Sequence, residues 1–160
     1  DLAKYMNEQF DHGLSWSDVA WLRTVWEGPI LVKGIQSVED ALLAVENGVE
    51  GIVVSNHGGR QLDTAPAPFD LLPEICEAVA GRTEVVCDGG VRRGSDIVKA
   101  VAAGADAAMG GRLFLYALAA AGEQGVDHVL QLLRSGTERT MALVGASTVD
   151  ELGPDLLGCR

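Results

Sequence analysis

Four short stretches of this 160-residue chain set lysine, histidine or arginine beside glycine, a combination able to bind or transform a small anion. Lys33 stands inside an apolar run, Pro29-Ile30-Leu31-Val32-Lys33-Gly34-Ile35. A lysine there cannot stay charged and unpaired without a large desolvation cost. It reaches either water at a strand end or a ligand that becomes negative. The second stretch is Ser55-Asn56-His57-Gly58-Gly59-Arg60-Gln61-Leu62-Asp63. Histidine is the side chain best suited to move a proton near neutral pH, and arginine can grip a carboxylate with two parallel hydrogen bonds. Gly58 and Gly59 between them allow a ligand to approach the backbone closely. The pattern suggests a base beside a carboxylate anchor. By itself it does not name a reaction.

The third and fourth stretches are Asp88-Gly89-Gly90-Val91-Arg92-Arg93-Gly94 and Gly110-Gly111-Arg112. Glycines just ahead of a helix expose backbone N–H groups to an anion, and the helix dipole adds partial positive charge. Arg92, Arg93 and Arg112 add forked donors that match phosphate oxygens. A blander reading makes the glycines turns and the arginines solvated. Two such clusters at successive strand ends fit the usual phosphate site of a parallel α/β barrel.

The elements that must position these residues alternate. Apolar runs at residues 29–35, 51–56, 84–88 and, more weakly, 105–110 are expected as strands. Their near-continuous apolarity suits parallel strands covered on both faces. Each polar cluster is expected at the C-terminal end of a strand, with Lys33 ending the first. Helices are expected at 16–26, from Ser37 to Gly48, at 69–79, at 95–102, and as two closing helices over 113–121 and 126–144. Ser37-Val38-Glu39-Asp40 reads as a capping box with Asp in place of Glu or Gln. Repeated strand–helix units imply parallel strands joined by right-handed crossovers. Four such units are half of the eight that a closed (β/α)8 barrel needs.

Bulk composition narrows the partners. Twelve Lys and Arg against twenty-three Asp and Glu leave a net charge of −11, which argues against a nucleic-acid or anionic-membrane partner. No apolar run approaches the roughly 20 residues that span a bilayer. Cys76, Cys87 and Cys159 form no C-x-x-C pair and read as reduced thiols serving as small apolar residues, hence a cytoplasmic setting. The opening Asp1-Leu2-Ala3-Lys4 carries no signal-peptide pattern and is expected to continue from a longer protein. The stretch up to Phe10 is the least patterned.

Together these stretches resemble a known family. Ser55 through Asp63 is similar to the signature of the FMN-dependent α-hydroxy-acid oxidoreductases, among them glycolate oxidase, L-lactate dehydrogenase, lactate monooxygenase and mandelate dehydrogenase. Val32-Lys33-Gly34 upstream, Asp88 through Asp96 downstream, and Gly111-Arg112 agree in order and spacing. The resemblance implies an α/β fold that is the C-terminal half of a TIM barrel, strands five to eight with the closing helices. It divides the chain into a lead-in over 1–28, four βα units over 29–112 and closing helices over 113–157. It implies FMN as cofactor and an L-2-hydroxy acid as substrate, oxidised to the 2-oxo acid with electrons passing to flavin N5. By position, Lys33 would face the flavin N1/O2 edge and Ser55 would bond the ring. His57 would be the base and Arg60 the carboxylate anchor. Asp88, Gly89, Gly90, Val91 and Arg92, with Gly111 and Arg112, would hold the ribityl phosphate. Arg93 matches the family without an assigned contact.

The family places further residues in the N-terminal half, including tyrosines at the substrate, and neither Tyr5 nor Tyr116 falls at those positions. A half barrel would expose its interior and two sheet edges, so this chain alone is expected to be inactive. The implied partners are the N-terminal half of the barrel, in the same or another chain, and further copies in a tetramer-type homo-oligomer. Tyr116 and Ala119-Ala120-Ala121-Gly122 lean toward the lactate and mandelate dehydrogenases, which adds peripheral attachment to the inner membrane as an alternative setting. The competing readings are a relative that oxidises an amine or peptide-derived substrate, a non-redox FMN barrel such as an isomerase, and a non-enzymatic phosphate-binding half barrel.

Overall fold

The structure is a computed structural model that describes residues 13–158 together with Tyr5, Gln9 and Asp11. Cys159 and most of the stretch up to Phe10 lie outside the described residues. Strands β1 (Leu31–Ile35), β2 (Gly51–Val54), β3 (Glu84–Asp88) and β4 (Ala107–Met109) form one sheet in the order β1-β2-β3-β4, every pair parallel. Helices α1 (Trp16–Val25), α2 (Val38–Glu46), α3 (Pro68–Val79) and α4 (Gly94–Ala102) alternate with them, and α5 (Arg112–Val144) closes the chain. Short 3₁₀ turns follow at Val149–Glu151 and Pro154–Leu157. This is the α/β half barrel expected from the strand–helix repeat.

Local chemistry explains the boundaries. Ser37 Oγ accepts the amide of Asp40 at 3.1 Å, one arm of the expected capping box. Asn47 caps the far end of α2, and Gly48 follows it with φ +67°. Pro68 opens α3 at the position where a missing N–H costs nothing. The long α5 is broken at Ala121 and Gly122, so it comprises the two closing helices read from the sequence.

The core lies between the sheet and its helices. Ile35, Ile52, Val54, Val85 and Cys87 face Ala41, Ala44, Leu72, Ile75, Val79 and Ala100 across that layer. Register assigns the opposite face. Lys33 aligns with Val53, Val53 with Val86, and Val86 with Ala107, so these four share the inner face, buried at Val53 and Val86 in its middle and exposed at Lys33 and Ala107 on its edges. Two expectations are corrected here. The strands are not covered on both faces throughout: at the edges, inner-face Leu31 is 51% exposed and Met109 44%. Nor does Lys33 end its strand; it is the third of five residues.

A bulge explains how an apolar strand carries that lysine inward. The β1–β2 register slips between Lys33 and Ile35, with Ile35 pairing Val54. Gly34 between them has φ +105°, which glycine tolerates and a side chain does not. In an unbroken strand Lys33 and Ile35 would share a face. The bulge turns Ile35 into the core and leaves Lys33 on the open side.

Candidate functional site

The C-terminal ends of the strands surround a cavity of about 640 Å³. Lys33, His57, Arg60, Asp88, Gly89, Gly90, Val91, Arg92, Gly111 and Arg112 all line it. The remaining predicted site residue, Ser55, is fully buried and lines an adjoining hollow of about 270 Å³ that shares Lys33 and His57. The structure thus brings ten of the eleven sequence-predicted site residues to one cavity and places the eleventh, Ser55, beside it. Arg93 is exposed at the start of α4 and does not line the cavity.

One polar chain links three strands. Lys33 Nζ donates to Ser55 Oγ at 2.7 Å and pairs with Asp88 Oδ2 at 2.6 Å. Ser55 Oγ also accepts the amide of His57 at 3.1 Å. The lysine charge is therefore compensated, which meets the desolvation objection raised by its apolar strand.

The His57 turn is held in an unusual backbone. His57, Gly58 and Gly59 have φ values of +57°, +67° and +72°. Left-handed backbone costs a non-glycine residue about 1–2 kcal/mol, so the surroundings must enforce it at His57. Asn56 Oδ1 accepts the Gly59 amide at 3.0 Å, and Asn56 Nδ2 donates to the Pro66 carbonyl at 3.1 Å. Arg112 Nη2 reaches across from α5 to the Gly58 carbonyl at 3.0 Å. Together with the Ser55 bond these fix the turn that presents His57 and Arg60. No hydrogen bond or ion pair occupies the Arg60 guanidinium among the described residues, which leaves its fork available to a ligand.

The glycine-rich turn after β3 is tied from behind. Asp96 Oδ2 accepts the amides of Arg92 and Arg93, each at 2.9 Å. Gly89 and Gly90 take φ +87° and +83°, and a Cβ at Gly90 would meet nothing within 4 Å. Gly94 packs backbone to backbone against α5: a Cβ there would lie 2.0 Å from the Thr137 nitrogen. Asn56, Asp96 and Gly34 are the positioning residues that sequence reasoning did not single out. Asp96 had a signal, an acid at the third position of a helix. The roles of Asn56 and Gly34 depend on contacts that spacing does not display. Leu113, Leu115 and Met109 also line the cavity, equally invisible to spacing, as does Tyr116, which the sequence offered only as a family resemblance.

Burial pushes the Cys87 thiol up to about 11, with the Asp88 carboxylate adding to it. Cys76 is raised to about 11 by burial first, then by Asp106 and Cys87. Both are free thiols, as expected from their spacing.

The residues present fit a flavin mononucleotide. Asp88 Oδ1 is sealed from solvent without a donor, an acceptor suited to a hydroxyl of the ribityl chain. Arg92, Arg112 and the glycine amides at the starts of α4 and α5 suit a phosphate, and Lys33 suits a ring edge that gains negative charge. Fold and site together define a half (β/α)8 barrel whose cavity, at the C-terminal ends of its strands, is lined by lysine, arginine and glycine. The chain belongs to the FMN-dependent dehydrogenase family, whose profile matches residues 1–159.

Among curated proteins it is 53% identical over 148 residues to the peroxisomal (S)-2-hydroxyacid oxidase GLO3 of Arabidopsis thaliana, covering 92% of this chain and 41% of that protein. It is 46% identical over 153 residues to a putative L-lactate dehydrogenase of Mycobacterium tuberculosis, covering 96% of this chain and 37% of the relative. Among solved structures, a flavocytochrome b2 double mutant with pyruvate bound superposes with a TM-score of 0.89 at 43% identity, over 92% of this chain and 38% of that one. A mandelate oxidase variant with (S)-mandelic acid gives 0.84 at 47% identity, over 86% of this chain and 41% of that one. The chain thus spans about two fifths of the length of these relatives.

Proposed function

We propose that this chain is the cofactor- and substrate-binding half of an FMN-dependent enzyme that oxidises an L-2-hydroxy acid to the 2-oxo acid. The observation that carries the reading is the convergence of His57, Arg60, Lys33 and both glycine–arginine turns on one cavity of about 640 Å³. The named activities and ligands of the relatives, (S)-2-hydroxyacid oxidase, L-lactate dehydrogenase and (S)-mandelic acid, support a substrate of this class.

FMN, when bound, supplies a two-electron acceptor. Arg60 binds the substrate carboxylate with its fork and so fixes which carbon faces that acceptor. His57, three residues away on the same strained turn, takes one of the two protons that the hydroxy acid loses, the other going with the electron pair to the acceptor. Lys33 opposes the negative charge that develops across the cavity, held there by Ser55 and Asp88. Gly89, Gly90, Val91 and Arg92, with Gly111 and Arg112, hold the phosphate end. Within this reading, residues 29–112 are the four βα units, 113–157 close the barrel and 1–28 lead into it. The open inner face and the edges of β1 and β4 are completed by the N-terminal half that the longer relatives carry.

The test uses the complete protein loaded with FMN under anaerobic conditions and mixed with lactate, glycolate or mandelate. Loss of the visible flavin band with one of these acids is expected. A flavin that no 2-hydroxy acid bleaches overturns the reading.

A further inference from the structure

We propose that Asp88 is the counter-charge of Lys33: it fixes the lysine and offsets its positive charge, and so lowers the electron affinity of the flavin bound beside it. The inference rests on the reading of Lys33 as the cation that faces the flavin. Lys33 Nζ lies 2.6 Å from Asp88 Oδ2, and the Asp88 side chain is only 16% exposed against 41% for Lys33. A carboxylate shielded this way acts on its partner through a lower dielectric than a surface pair does. Ser55 bonds the same nitrogen at 2.7 Å but is neutral, so it directs the lysine without changing the charge of the cluster. Register explains why the three meet: Val53 aligns with both Lys33 and Val86, and Ser55 and Asp88 lie two residues further along the same inner face.

A cation with a carboxylate at contact distance presents much less field to a neighbouring ring than a cation alone. Removing the carboxylate leaves Lys33 uncompensated and favours the reduced, more negative flavin. Removing both charges restores a neutral cluster. A merely structural Asp88, one that only braces the turn after β3, would alter FMN retention and nothing else.

The experiment uses the full-length, FMN-loaded protein and two readouts independent of turnover. One is the affinity of the bound flavin for sulfite; the other is its two-electron potential against reference dyes. Asp88→Asn is expected to tighten sulfite binding about tenfold, equivalent to a potential about 30 mV higher. Lys33→Met is expected to weaken sulfite binding by at least as much. The double variant is expected to return to within threefold of the unaltered protein, and Asp88→Glu to stay close to it. A sulfite affinity that Asp88→Asn leaves within twofold, while Lys33→Met weakens it, overturns the proposal alone. If both single variants are silent with FMN bound, the reading of Lys33 as facing the flavin fails. Should Asp88→Asn not load FMN, the double variant decides. Recovery of loading supports a counter-charge, and continued loss overturns it and leaves Asp88 only its part in holding the ribityl chain.

Discussion

His57 carries its imidazole on left-handed backbone, and three neighbours keep it there: Ser55 through its hydroxyl, Asn56 through the Gly59 amide, and Arg112 through the Gly58 carbonyl. An imidazole presented this rigidly, in the role of base proposed for it, is expected to matter for chemistry more than for cofactor retention. In the FMN-loaded complete protein, His57→Ala should slow substrate-driven flavin bleaching by about 10²–10⁴-fold, with flavin content unchanged. Stopped-flow spectroscopy and an FMN assay read the two quantities. Arg60→Lys keeps the charge and loses the fork, so equilibrium binding of the acid should weaken about tenfold. The thiols make a separate prediction. Folding favours the protonated form of Cys76 and Cys87, since both are raised from 9.0 to about 11. The unfolded chain therefore binds fewer protons between those values, and stability falls as pH rises. The contribution is whole below about pH 9 and is lost toward pH 11, which denaturation midpoints across that range will show. Alkylation at pH 8 should be far slower in the folded protein than in denaturant.

At the scale of elements, α4 is the hub of the glycine–arginine turns proposed to hold the phosphate. Its Asp96 ties back the amides of Arg92 and Arg93, and its Gly94 touches α5 at Gly136 and Thr137. Asp96→Ala frees both amides and is expected to cost about 1–2 kcal/mol of stability and to weaken FMN binding. Gly94→Ala places a methyl 2.2 Å from the Gly136 carbonyl carbon, so α4 and α5 must part. A stability loss of about 1–3 kcal/mol is expected, read as a fall in unfolding midpoint, with FMN affinity falling alongside. Helix limits were legible in the sequence because they rest on local chemistry: Ser37, Gly48 and Pro68 act on their own turn. The place of Lys33 in β1 was not, because a bulge is a relation between two strands. The sequence reading ends the strand at Lys33, whereas Ile35 pairs with Val54 beyond the bulge at Gly34.

At the scale of the molecule, β1 and β4 each pair on one side only among the described residues, and Leu31 and Met109 are about half exposed on the inner face. Such edges and surfaces seek partners. Expressed alone, the chain is expected to bind a hydrophobic dye and to self-associate in sedimentation. Joining it to the N-terminal half of a family barrel should remove both behaviours. The sequence by itself determined the alternation of strands and helices and the four clusters of reactive residues, because hydrophobic period, caps and glycine turns are local. Its composition also set the acidic charge. Only the tertiary structure decided that Lys33, Ser55 and Asp88 form one bonded cluster, that Arg112 steadies the histidine turn, and that the inner sheet face is exposed along its edges. Those facts come from register between strands and from packing of helix on helix, which join residues far apart in the chain.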